Sequence, residues 1–253
     1  MRMIGRAALV LCFLMLSGLS YAQTVGVFNG GNCYPFMCND SGASTGQSID
    51  YQQVFAPSAF SGTTTINSIT WNYADIGSGF SDEAIGGTYN LYLGYSTNPV
   101  GSQSTTLANN VFGSETWLGT LTIPAGGESD DPTLTFNLTT PFVYNPTIDP
   151  LLLEVVVTNQ DNVPNGYQFG SGQYNGYNQA DYGSDVTNRA YCVSGTGTNS
   201  GCYNADTFSA PYYGGNANAG LVTTFNSAPE PATFVLLGSG LFGLMGLRRK
   251  RMA

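Results

Sequence analysis

Residues 89–95 read Tyr-Asn-Leu-Tyr-Leu-Gly-Tyr, and this stretch decides the fold class. Tyr89, Leu91, Leu93 and Tyr95 fall at every second position, so in an extended chain they share one face. Asn98-Pro99 then stops the run. Working outward, the same period of two recurs. Ile69, Trp71 and Tyr73 alternate, as do Trp117, Leu121 and Ile123 ahead of the turn formers Pro124-Ala125-Gly126-Gly127. Leu134, Phe136 and Leu138 repeat the pattern. Leu151 to Val157 is nearly continuous in apolar residues, the mark of a strand covered on both faces. Val25–Asn29, Tyr51–Ala56 and Gly220–Phe225 are further strands by the same criterion. No helical period with caps occurs between residues 23 and 228. These features predict an all-β domain, a two-sheet β-sandwich of jelly-roll-like form. Asn165 to Asp185, rich in Gly, Asn and Tyr, is expected to be a long surface loop.

The two ends of the chain follow a different physics. Arg2 and Arg6 precede the apolar run Ala7–Leu16, and Ser20-Tyr21-Ala22 closes it with the small residues a signal peptidase reads. Residues 1–22 are therefore a signal peptide, an N-terminal helix too short to span a membrane durably. Cys12 lies inside the run, which excludes a lipoprotein signal. At the other end Ala228-Pro229-Glu230-Pro231 leads into an apolar segment, residues 232–247, and then Arg248-Arg249-Lys250-Arg251. The prolines hold the motif extended and open to an enzyme cleft. The segment has about 16 residues, roughly 24 Å of helix, against a hydrocarbon core of about 30 Å. Its glycines at 238, 240, 243 and 246 give a small-residue face for a partner helix. The basic cluster resists translocation and stays cytoplasmic. Such a transmembrane helix suits transient handling better than permanent anchorage.

Pro229-Glu230-Pro231, a Gly-rich apolar helix and a terminal basic cluster, in that order, resemble the PEP-CTERM sorting signal. The family commonly has valine before the first proline, where this chain has Ala228. The resemblance implies an exosortase-type membrane enzyme as partner, cleavage near the motif, and release from transient inner-membrane anchorage to the cell surface or matrix. It also implies association with extracellular polysaccharide. The chain accordingly divides into signal peptide 1–22, extracellular domain 23–228 and sorting signal 229–253. The order of segments from Tyr51 through Leu151–Val157 to Gly220–Phe225 is loosely similar to a recurring ectodomain type of the same family.

Composition narrows the function. Between residues 23 and 228 stand fifteen acids and one basic residue, Arg189. That balance repels phosphate and excludes nucleic acid as a partner. Without a histidine or a lysine in this stretch, triad-type nucleophilic catalysis has no base. Glycoside hydrolysis needs only two carboxylates, and Glu83, Glu115, Glu128 and Glu154 are the candidates. Glu154 stands out because it interrupts an apolar strand, where it lies at the sheet surface or pairs with Arg189. The reading that results is non-enzymatic, with a carbohydrate-binding module as the alternative and a glycosidase third. Tyr174, Tyr177 and Tyr182 are the candidate sugar-binding residues, their alternative role being to pack on the sheet. No cofactor or metal motif is present. Structural calcium could draw on Asp82-Glu83, Asp130-Asp131 or Asp181 with Asp185. Cys33, Cys38, Cys192 and Cys202 allow three disulfide connectivities, of which Cys33–Cys38 with Cys192–Cys202 closes the shortest rings.

Overall fold

The computed structural model describes residues 22–32, 34–36, 47–73, 84–124, 133–160, 178–183, 185–194, 201–204 and 219–227. The signal peptide up to Tyr21, the sorting motif and the basic tail lie outside them. So do Cys33, Cys38, Tyr174 and Tyr177. Gln23–Asn226 forms a compact unit.

Among the described residues thirteen strands follow in chain order. The first five are β1 (Ala22–Val25), β2 (Gly30–Asn32), β3 (Gln47–Phe55), β4 (Thr64–Asn72) and β5 (Gly87–Ser96). Next come β6 (Val111–Ile123), β7 (Thr133–Tyr144), β8 (Leu151–Gln160) and β9 (Asn178–Tyr182). The last are β10 (Thr187–Ser194), β11 (Gly201–Asn204), β12 (Ala219–Leu221) and β13 (Thr223–Asn226). They build a six-stranded sheet ordered β11-β10-β3-β8-β5-β6 and a four-stranded sheet ordered β1-β13-β4-β7, with a small sheet β12-β9-β2.

The two larger sheets enclose one core because each turns its alternating apolar face inward. Ile49, Tyr51 and Phe55 of β3, Tyr89, Leu91 and Leu93 of β5, and Leu151, Leu153, Val155 and Val157 of β8 meet Ile66, Ile69, Trp71, Leu134, Phe136 and Phe225 of the facing sheet. Ring contacts tie the layers: Phe55 meets Phe225 edge-on at 5.0 Å, and Tyr95 lies 5.7 Å from Tyr144. The expectation of an all-β fold with two antiparallel sheets therefore holds, and its jelly-roll refinement goes beyond what these strand orders define. Among the described residues no helix is long and apolar enough to cross a membrane.

Four local readings are corrected. Val25–Asn29 is not a strand; the chain leaves β1 at Val25 and turns through Gly26–Asn29. Gly220–Phe225 is two strands, because the chain changes sheets at Val222. Ala219–Leu221 pairs with β9, whereas Thr223–Asn226 pairs with β4. The Gly-, Asn- and Tyr-rich segment contains β9, held between β12 and β2, so backbone pairing gives its end a regular structure that composition did not suggest. Lastly, Trp117 does not share the inward face of Ile123. Tyr92 pairs with Trp117 while its neighbour Leu91 pairs with Gly119, which leaves Leu118 as the extra residue of a bulge. Leu118 turns into the core and Trp117 turns out, 50 % exposed. Gly119 makes the kink possible. Its φ is +139°, and a Cβ there would stand 2.7 Å from Thr139 Oγ1.

Candidate functional site

The outward face of the six-stranded sheet gathers chemistry-bearing side chains from β3, β8, β5 and β6. Since Tyr51 and Gln53 of β3 face inward, Asp50 and Gln52 face outward. Gln52 stands opposite Glu154 of β8, and Glu154 opposite Tyr92 of β5. Tyr92 in turn faces Trp117 of edge strand β6. One row across the sheet therefore runs Trp117, Tyr92, Glu154, Gln52. Asp50 lies in the next row, opposite Val156 and Cys192.

Glu115 joins this group from β6 through a second irregularity. Leu93 pairs with Thr116 but Tyr95 pairs with Phe112, so the edge strand carries extra residues there, with Gly113 at φ +73°. The bulge brings Glu115 over β5 at Gly94, where a Cβ would lie 3.0 Å from Glu115 Cγ. Gly94 thus leaves the gap through which Glu115 reaches β8. The Glu154 carboxylate comes within hydrogen-bonding reach of both Asp50 and Glu115.

Electrostatics follow from this crowding. Burial pushes the Asp50 carboxyl up from its ordinary 3.8 to about 7, and the charge and hydrogen bond of Glu154 add to the effect. Burial likewise raises Glu115 from 4.5 to about 8, helped by Glu154 and then by Asp50. A proton retained on Asp50 or Glu115 relieves the repulsion among the crowded carboxyl oxygens. Gln52 supplies a further donor, its Nε2 lying 2.7 Å from Glu154 Oε1.

The segment between β5 and β6 covers one side of this face. Asn110 Nδ2 donates to Gln52 Oε1 at 2.9 Å and to the Ser104 carbonyl at 3.0 Å. Asn110 Oδ1 accepts from Ser104 N–H and from Asn98 Nδ2. Gln52 is left only 1 % exposed. Val54 and Leu152, register partners on the same face, are also buried. The continuous apolar reading of β8 thus has a cause, though its outer cover here is a connection and not another sheet.

The other expected site residues fall out as follows. Cys192 and Cys202 form a disulfide across β10 and β11, with Cα atoms 4.0 Å apart. Glu154 does not meet Arg189, because Glu154 faces outward and Arg189 pairs with inward-facing Gln53. Asp181 is buried, its Oδ2 accepting from Val27 N–H at 3.1 Å, and Asp185 is exposed. Tyr182 lies in β9 opposite Ala219. Glu83, Glu128, Asp82, Asp130 and Asp131 lie outside the described residues. Among the described residues no group of three or more His, Cys, Asp or Glu side chains is arranged to hold a metal ion. Asp50 and Gln52 escaped sequence reasoning, since one acid and one amide on an alternating strand carry no pattern of their own. The signal that existed was their outward parity beside Tyr51.

At the C-terminal end the last strand, β13, stops at Asn226, and the match to the PEP-CTERM protein-sorting motif covers residues 227–250. The chain thus carries a PEP-CTERM sorting motif, which implies export and exosortase-dependent sorting to the cell surface. No curated protein and no solved structure matches the chain.

Proposed function

We propose that the chain is a non-enzymatic surface protein. Its β-sandwich, jelly-roll-like in form, is exported by signal peptidase cleavage before Gln23. It is then held briefly in the inner membrane by residues 232–247 and displayed among exopolysaccharide after exosortase processing. The observation that carries this reading is the sorting motif at 227–250, beginning one residue after β13 ends. The Glu115–Glu154 contact supports the non-enzymatic part. Glycosidase carboxyls stand about 5–9.5 Å apart to admit a sugar or a water, whereas these two are at hydrogen-bonding reach. The test is to replace Pro229, Glu230 and Pro231 by alanine. Insertion should persist, because the apolar segment and basic cluster remain, while the unprocessed form accumulates in the inner membrane. Trimming and release at the wild-type rate would sink the proposal.

One observation favours carbohydrate contact as a second reading. Trp117 presents an outward ring beside Tyr92, within a face that also offers carboxyl and amide groups. Flat apolar rings flanked by such groups suit sugar rings, whose faces are apolar and whose edges are hydroxyls. Loss of retention on the cell's own polysaccharide in Trp117→Ala, with the melting temperature unchanged, would put this reading first.

A further inference from the structure

Arg189, the one basic residue between residues 23 and 228, is 3 % exposed. Burying a guanidinium costs free energy unless its charge and its N–H groups are met inside the fold. Its guanidinium carbon lies 5.4 Å from the Tyr191 ring centroid, and Tyr191 stacks on Tyr34 at 4.6 Å. A ring face attracts the cation but offers no acceptor to N–H groups in the guanidinium plane.

Among the described residues Nε and Nη1 of Arg189 are buried and meet no acceptor. The amide oxygens of its strand neighbours Gln53 and Asn188 are already engaged. Gln53 Oε1 accepts the Tyr51 hydroxyl at 2.8 Å and the Leu221 N–H at 3.0 Å. The Gln53 amide nitrogen is itself a donor, to Thr187 Oγ1 and to the Leu221 carbonyl. Asn188 Oδ1 accepts from the backbone N–H groups of Arg189 and Ala219. Glu154 faces the other side of the sheet. A buried cation with unmet donors is a cost that a fold retains when something supplies the anion.

We infer that Arg189 anchors a binding site for a small carboxylate, taken by charge-assisted hydrogen bonds from the guanidinium beside the Tyr191 ring. A carboxylate fits on three grounds. It is planar, as the guanidinium is. It carries the one charge needed to balance the one cation. It is also small, whereas fifteen acids in the same stretch repel polyanions and multiply charged ions.

The test uses the full-length chain in detergent at neutral pH. Its melting temperature is followed against rising sodium acetate, with sodium chloride at matched ionic strength as reference. Acetate should raise the midpoint saturably, chloride should not, and Arg189→Met should abolish the difference. An acetate effect no larger than that of chloride, or one that survives in Arg189→Met, overturns the site. Should Arg189→Met fail to fold, saturation-transfer NMR on the unsubstituted protein decides instead. Transfer to the acetate methyl group that formate competes away supports the site, and absence of transfer overturns it.

Discussion

Glu115 of edge strand β6 meets Glu154 of central strand β8 across β5, the strand between them, because Gly94 of β5 has no side chain in the way. Neighbouring strands are about 4.8 Å apart, so the contact spans two spacings and depends on the bulge that lifts Glu115 over the sheet. Two carboxyls so placed cannot both ionise cheaply, and a third, Asp50, adds to the crowding.

Stability should therefore fall as pH rises. Asp50 and Glu115 hold their protons in the folded chain up to about 7 and about 8, against 3.8 and 4.5 ordinarily. Between those limits the folded state binds more protons than the unfolded one. Their stabilising contribution is complete at acid pH and lost as the pH climbs through the folded values. Urea midpoints measured at intervals across this window should decline. Glu115→Gln, whose amide can still donate to Glu154, should flatten the decline and exceed wild type at the alkaline end. An unaltered slope in that variant would refute the assignment.

Filling Gly94 should act on the same contact from the other side. A Cβ there stands 3.0 Å from Glu115 Cγ and 3.3 Å from Glu115 Cα, so both the side chain and the bulge must shift. Gly94→Ala should destabilise by about 1–3 kcal/mol, the usual range for overpacking. It should also weaken the pH dependence, because Glu115 is pushed away from Glu154. Retention of the wild-type midpoint and of the full pH slope would count against the geometry.

Reduction should loosen the end of the six-stranded sheet. The Cys192–Cys202 bond pins short edge strand β11 to β10 by closing a loop with a sequence separation of 10. Loop-closure entropy assigns such a ring about 2–3 kcal/mol. The double variant Cys192→Ser, Cys202→Ser should lose that much in a denaturant titration, and hydrogen exchange should accelerate first in residues 201–204. Exchange rising uniformly over all strands would argue against a local clasp.

For the tyrosine-rich segment, β9 changes what a substitution should do. Tyr182 sits in a strand paired on both sides. Replacing Tyr174, Tyr177 and Tyr182 together by alanine should lower the melting temperature, with a cost of about 3–5 kcal/mol for each ring that is buried. An unchanged melting temperature with lost polysaccharide retention would reverse this and make the segment a sugar-contact surface.

What the sequence determined by itself is what depends on near neighbours. Tyr89, Leu91 and Leu93 had to share a face because alternation is a steric property of one extended strand, and all three are buried. Cys192 and Cys202 were legible as a pair because a short loop brings them together cheaply. The sorting motif was legible because its physics is linear, an extended segment followed by an apolar run and a basic stop. The tertiary structure alone decided the rest. Trp117 and Leu118 exchange faces through a bulge whose position is set by register against β5. Thr223 leaves the partner of Leu221 for another sheet, although nothing in Leu-Val-Thr marks the break. Asp50, Glu115 and Glu154 come from separate parts of the chain and become one electrostatic unit after β3, β8, β5 and β6 have taken their order. Register and strand order are fixed by contacts summed over the whole domain, so residues far apart in sequence acquire a shared chemistry on folding.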